Sequence, residues 1–165
     1  MDKKILDATC GSRMMWFNRN HPDALYMDCR EVTDKLIWTS KDGTDKRYLN
    51  IHPDVIADFT NMPFEDNSFH LVVFDPPHVQ KVGRNAWLAA KYGRLEDGWE
   101  KMVHDGFYEC MRVLKPNGTL IFKWSEINFT VGQVLNVIGA EPLFGHVTGK
   151  AGKTVWMTFM KGAGQ

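Results

Sequence analysis

Leu71-Val72-Val73-Phe74-Asp75-Pro76-Pro77-His78 is the stretch whose reading decides the fold. Four apolar residues in a row suit a buried strand and are too few for a capped helix. Asp75 ends the run, and two prolines then exclude both a continued ladder and a helix interior. The residue before each proline is driven towards extended backbone. The stretch therefore predicts a parallel strand that delivers one carboxylate to its C-terminal edge, followed by a stiff turn. Ligands of open α/β sheets bind at that edge. A rigid Asp-Pro-Pro holds a carboxylate and one backbone carbonyl as fixed acceptors, which suits a ligand NH2 group.

Upstream, residues 4–7 (Lys-Ile-Leu-Asp), 24–28 (Ala-Leu-Tyr-Met-Asp) and 55–58 (Val-Ile-Ala-Asp) read as three further short strands, each ending in an acid. Ala8-Thr9-Cys10-Gly11-Ser12 is a small-residue turn after the first of them. Residues 13–17 look like the first turns of a helix, with Ser12 as N-cap. Apolar segments at 36–38 and 48–51 flank Lys41-Asp42-Gly43-Thr44, the signature of a hairpin. Residues 61–68 form a loop back to the Leu71 strand.

Downstream, Met102, Val103, Phe107, Cys110, Met111 and Leu114 recur at helical spacing, so residues 99–114 read as a helix packed on the sheet. Lys115-Pro116-Asn117-Gly118 ends it with a turn, and residues 119–124 form the next strand. Residues 131–139 read as a helix stopped by Gly139. Residues 142–146 and 154–160 read as an antiparallel hairpin. Strands alternating with helices imply a parallel, doubly wound sheet. Acids at several neighbouring strand ends would line one edge, and an acid after the second strand is the usual partner of a ribose diol.

Composition bounds the rest. The 165 residues form a single expected domain, 1–165, large enough for a core. Lys+Arg and Asp+Glu both number 20, so net charge gives no general argument for nucleic acid or a membrane. No apolar run approaches the ~20 residues of a bilayer span. Three cysteines have neither the number nor the spacing of a disulfide framework or zinc site. The expectation is a reduced, cytoplasmic protein with no metal and no membrane partner.

Taken together, these pieces resemble the class I S-adenosylmethionine-dependent methyltransferases over nearly the whole chain. Ile5-Leu6-Asp7-Ala8-Thr9-Cys10-Gly11-Ser12 is similar to the family's first motif, with one glycine where two or three are usual. Asp28 matches its ribose-binding acid. Ala57-Asp58-Phe59 with the following Met62-Pro63-Phe64 resembles the adenine-contacting segment. Met111-Arg112-Val113-Leu114-Lys115-Pro116-Asn117-Gly118 resembles the turn before the fifth strand. Asp75-Pro76-Pro77-His78 resembles the Asp-Pro-Pro-Tyr signature of enzymes that methylate exocyclic amines, chiefly adenine N6 and cytosine N4.

The resemblance implies a Rossmann-like α/β fold: a seven-stranded, mostly parallel sheet with an antiparallel C-terminal hairpin and helices on both faces. It implies an enzyme using S-adenosyl-L-methionine, held by Asp7, Thr9, Cys10, Gly11, Asp28, Asp58 and Phe59. The catalytic group would be Asp75, Pro76, Pro77 and His78, and the leading substrate adenine in DNA or RNA. A small-molecule or protein amine and a non-enzymatic nucleotide-binding module are the competing readings. Asp58 fits a loop cap as well as a ligand. Cys10 reads as a small buried residue rather than a nucleophile. His78 could stack on a base or transfer a proton. Residues 79–95 carry Lys81, Arg84, Lys91 and Arg94, with Trp87 and Tyr92, and no acid. That patch is either a solvated loop-helix or a substrate clamp contacting phosphates and stacking a base.

Overall fold

The structure, a computed structural model, describes residues 3–80, 87–147 and 153–162. Along the chain run β1 (Ile5–Asp7), β2 (Ala24–Asp28), β3 (Val32–Thr39), β4 (Lys46–Ile51), β5 (Val55–Ile56), β6 (Phe69–Phe74), α1 (Trp87–Tyr92), α2 (Trp99–Val113), β7 (Leu114–Ser125), α3 (Val131–Ile138), β8 (Phe144–Val147) and β9 (Thr154–Met160). Seven strands form one sheet in the order β5-β2-β1-β6-β7-β9-β8, with β6, the Asp-Pro-Pro strand, at its centre. Pairings from β5 across to β7 are parallel, and β9 and β8 are antiparallel. The chain reverses its order after β1, so the C-terminal ends of β1, β2 and β6 converge on one crevice.

Period-2 alternation sets the core. Leu6 pairs with Val72, Val72 with Leu120 and Leu120 with Phe159, while Phe74 pairs with Phe122 and Phe122 with Met157. All of these point to one face and are buried. Val103, Phe107 and Cys110 of α2, with Val134 and Ile138 of α3, join them in the same apolar cluster. Each fully buried Leu, Val or Phe side chain contributes roughly 1.5–3 kcal/mol. Thr130 and Gln133 form a reciprocal capping box at the start of α3, and Gly139 ends it in the left-handed region. Lys161 reaches from beyond β9 to the carbonyls of Arg112 and Leu114, satisfying backbone acceptors at the end of α2.

Several local expectations need correction. Residues 13–17 form no helix. Arg13 has φ 54, which a right-handed helix excludes. Its guanidinium lies 3.8 Å over the Tyr26 ring and donates to the carbonyls of Arg19 and His52. Five residues before a Pro-containing breaker are too few to overcome helix nucleation against such contacts. The third strand stops at Ile56, so Asp58 sits two residues past it. The Lys115–Gly118 turn lies within β7, because α2 passes directly into the strand. The ladder slips between Phe69 and Leu71, and Asn117 takes φ 64 there. The hairpin around Asp42-Gly43 does form, as β3 and β4 in a separate two-stranded sheet.

Where the first helix was expected, Trp16 does the packing. Its ring meets Tyr26 edge-on at 5.1 Å, and its Nε1 donates to Asp7 Oδ2 at 2.7 Å. Asp7 is fully buried. Burial pushes its carboxyl up from 3.8 to about 6, and the charges of Asp75 and Asp28 push the same way, against the donors Trp16 and Thr9. Below pH 3.8 both folded and unfolded states hold the proton and nothing is lost. As pH rises through 6, the folded state must carry a buried charge, which costs about 3 kcal/mol at 1.36 kcal/mol per pH unit. Urea unfolding from pH 4 to 7.5 should therefore show the wild type losing ground against Asp7→Asn by about 2–3 kcal/mol. Parallel stability curves for the two proteins would contradict this account of Asp7.

Candidate active site

A cavity of about 470 Å³ opens at the C-terminal ends of β1, β2, β6 and β7. That size suits a small-molecule ligand. Its floor is the turn after β1. Thr9 Oγ1 accepts a hydrogen bond from Asp75 N at 2.8 Å, which ties this turn to the end of β6. Gly11, at φ 49, points its N–H at Asp28 Oδ2, 3.0 Å away. Cys10 is buried, and desolvation pushes its thiol up to about 12, so it is no nucleophile at neutral pH. Asp7 lies beneath these residues, bonded to Trp16 and Thr9, and is not part of the cavity wall.

The second strand supplies Asp28, 5% exposed, on one side of the cavity. Arg30 clamps it: Nε and Nη2 donate to its two oxygens at 2.9 and 3.1 Å. The same guanidinium donates to the Ala90 carbonyl of α1 at 3.1 Å. Asp58 and Phe59 line the adjoining wall. Asp58 Oδ1 accepts from both N and Oγ1 of Thr60 at 2.8 Å, so it makes an Asx turn while its residue faces the cavity. Phe59 packs edge-on against Phe74 at 5.2 Å, close to Gly106 of α2. A Cβ on Gly106 would sit 2.6 Å from the Phe59 ring, so the glycine is what admits that ring.

Asp75, Pro77 and His78 form the far end, with Pro76 buried behind them. Asp75 Oδ2 pairs with Lys123 Nζ of β7 at 2.5 Å. Its Oδ1 is buried without a hydrogen-bond partner and lies 3.8 Å from His78 Nδ1. His78 Nδ1 is 3.3 Å from the Pro76 carbonyl. Burial pulls the His78 pKa below its ordinary 6.5, against the pull of Asp75 and the Pro76 carbonyl, so the ring is neutral at pH 7 and Nδ1–H donates to that carbonyl. At 8% exposed, with its ring edge-on to Trp124 at 6.2 Å, His78 braces the turn as well as facing the cavity.

Of the basic and aromatic patch, Lys91 and Arg94 line the cavity. Trp87 and Tyr92 are the first and last residues of α1. Lys81 and Arg84 lie outside the described residues. Leu95 N donates to Val79 O at 3.0 Å, closing the excursion at its base. Gly93, at φ 75, packs so closely on Pro77 that a Cβ would meet its ring at 2.8 Å.

Sequence reasoning missed Arg30 and Lys123. Arg30 follows Asp28 by two residues, a spacing that could have flagged it. Lys123 is a lone cation in an apolar strand, Leu120-Ile121-Phe122-Lys123-Trp124, and that anomaly was the available signal. Among the described residues no three His, Cys, Asp or Glu side chains group to hold a metal, and no helix is long and apolar enough to cross a membrane.

No family model matches the chain, and no curated protein matches it by sequence. Solved structures do. A TehB-like S-adenosylmethionine-dependent methyltransferase from Corynebacterium glutamicum superimposes at TM-score 0.56 and 16% identity, over 97% of this chain and 80% of its own. The N-methyltransferase NodS from Bradyrhizobium japonicum gives 0.57 and 13%, over 98% and 86%. An rRNA methylase from Streptococcus thermophilus gives 0.50 and 12%, over 98% and 89%. The chain has the Rossmann-like fold of the S-adenosylmethionine-dependent methyltransferases.

Proposed function

We propose that this chain is an S-adenosyl-L-methionine-dependent methyltransferase acting on an exocyclic amine of a nucleic-acid base, with adenine N6 the leading target. The observation that carries the reading is Asp75: a carboxylate at the cavity's end, locked by Pro76 and Pro77, with one buried oxygen lacking a donor. A buried acceptor without a partner costs about 1–3 kcal/mol, and a bound N–H removes that cost. The fold and the solved N-methyltransferase and rRNA methylase that share it support the same class of chemistry.

The cavity fits the cofactor. On this reading Asp28 takes the ribose diol, Asp58 and Phe59 contact the adenine, and the Thr9–Gly11 turn gives close backbone approach, all of them lining the cavity. Asp28 is shared with Arg30, so a diol would join or replace one of that side chain's bonds. When bound, the cofactor would supply an electrophilic methyl group for the amine lone pair, the electron pair of the methyl–sulfur bond remaining on sulfur. The chain's own part is placement. On this reading Asp75, which lines the cavity, accepts an amine hydrogen and orients the ring plane so that the nitrogen lone pair faces the methyl site, while the buried Pro76 carbonyl takes the His78 N–H that braces the turn. Thr9 holds Asp75 in turn. A proton then leaves the methylated nitrogen to solvent. Most of the acceleration comes from orientation and preorganised acceptors. A paired base must first be flipped out. The zero net charge of the chain favours a second reading, a small-molecule amine.

Titration calorimetry should show S-adenosylhomocysteine binding, weakened by roughly 1–3 kcal/mol in Asp28→Ala through loss of a charged acceptor. Absence of heat with either cofactor form would sink the methyltransferase reading. Asp75→Ala should keep the cofactor and the fold yet lower turnover by roughly 100-fold or more. Joint loss of cofactor binding would instead make Asp75 a structural residue. Tritiated methyl transfer to DNA, RNA and a metabolite extract in parallel selects between base and small-molecule amine.

A further inference from the structure

The pair formed by Asp75 and Lys123 offers the cavity more than one carboxylate. Lys123 is on β7, one residue past the Phe74–Phe122 pairing, which sets it level with Asp75. Its side chain is 18% exposed, and it lines the cavity. Nζ lies 2.5 Å from Asp75 Oδ2 and 5.7 Å from the centre of the Trp156 ring. An ammonium has three N–H donors, and Asp75 takes one. Asp75 Oδ1, on the other side of the same carboxylate, takes none. Asp75 and Lys123 both line the cavity, which thus has an acid and a cation on one wall, held in place by their own ion pair.

We propose that Lys123 is a specificity residue, donating to the ring nitrogen beside the target amine while Asp75 accepts from the amine itself. The proposal rests on the amine-methyltransferase reading above and narrows its substrate class. The matching partner is a planar edge on which an N–H donor neighbours a lone-pair nitrogen. Adenine has that edge on both sides of its amine, through N1 and N7, and cytosine has it through N3. An aliphatic amine has the donor and no such acceptor. A site built to meet a ligand acceptor rejects the analogue lacking it, because its own donor is then left unpaired.

The contribution falls on binding and orientation. A cation beside the ring opposes the positive charge that grows on the amine during transfer, so Lys123 cannot lower the barrier by its charge. Its effect is to be read in KM, whereas Asp75 is read in kcat.

The test uses the full chain and tritiated S-adenosylmethionine, with oligonucleotides carrying adenine, 1-deazaadenine or 7-deazaadenine at one position. In the analogues CH replaces one flanking ring nitrogen. Wild type should discriminate against one of the two by about tenfold or more in kcat/KM, mainly through KM. Lys123→Met should erase that preference, and Lys123→Gln, which keeps an N–H donor, should retain part of it. A Lys123 that served only to neutralise Asp75 would lower the rate on all three alike, and that result overturns the proposal. The wild-type comparison needs no variant, so misfolding cannot hide the answer. Equal activity of wild type on all three bases overturns the role of Lys123 and leaves the base-methyltransferase reading standing. Transfer only to a lysine-bearing peptide or another amine without a neighbouring acceptor overturns both. No transfer to any acceptor, with no cofactor bound, removes the methyltransferase reading and this proposal with it.

Discussion

Three carboxylates crowd one edge of this sheet, and the rest of the site is arranged around their repulsion. Parallel pairing sets β1 between β2 and β6, so Asp7, Asp28 and Asp75 emerge on neighbouring strands. Left alone, such a cluster would take up protons, and Asp7, the deepest, is partway there. Each acid has a dedicated donor drawn from a different part of the chain. Trp16 serves Asp7, Arg30 serves Asp28 and Lys123 serves Asp75. Thr9 and Gly11 knit the three together through backbone amides. The crevice can thus stay open and polar without being a simple anionic hole.

This explains which parts of the molecule were legible in the sequence. Strand ends announce themselves because an acid after a short apolar run has one plausible place in an α/β sheet, at the ligand edge. The parallel sheet and the C-terminal antiparallel pair follow from apolar runs, turns and helix periodicity, whereas the count of seven strands came from the family resemblance and the strand order from the structure. The partners of the acids are harder to read, because only faint local signals mark them: Arg30 two residues past Asp28, and Lys123 as a lone cation in an apolar strand. Trp16 read as part of a helix; its indole N–H bonds Asp7, nine residues earlier in the chain. Lys123 is 48 residues from Asp75. The expected helix at 13–17 failed for the same reason: tertiary demands on Arg13 and Trp16 outweighed weak local propensity. Asp58 and Phe59 line the cavity although the strand before them is shorter than its apolar run suggested.

The excursion between β6 and α2 is the part of the chain that turns a crevice into a cavity. It leaves from the Asp-Pro-Pro-His turn and returns to it, since Leu95 bonds Val79 and Gly93 rests on Pro77. Arg30 fastens α1 from the opposite side, through Ala90. One guanidinium therefore holds both Asp28, on one side of the cavity, and α1, whose Lys91 lines it. Anything that draws Asp28 away from Arg30 also loosens a tie on α1.

The same logic bears on what kind of catalyst the site can be. A lone buried carboxylate beside a nitrogen that becomes cationic would stabilise the transition state by charge. Here Lys123 neutralises much of that field, and the neutral His78 adds none. What survives neutralisation is direction: one unpaired oxygen on a turn made rigid by two prolines, fixed from below by Thr9 and braced by His78 against Trp124. Orientation of bound partners can supply roughly 7–11 kcal/mol of a barrier in favourable cases, whereas a hydrogen bond to a charged group contributes about 1.5–3 kcal/mol. The intrinsically reactive sulfonium methyl of such a cofactor calls for alignment more than activation. On the proposed reading, a site that gives up net charge while keeping a rigidly held carboxylate would place a flat amine rather than pull on it.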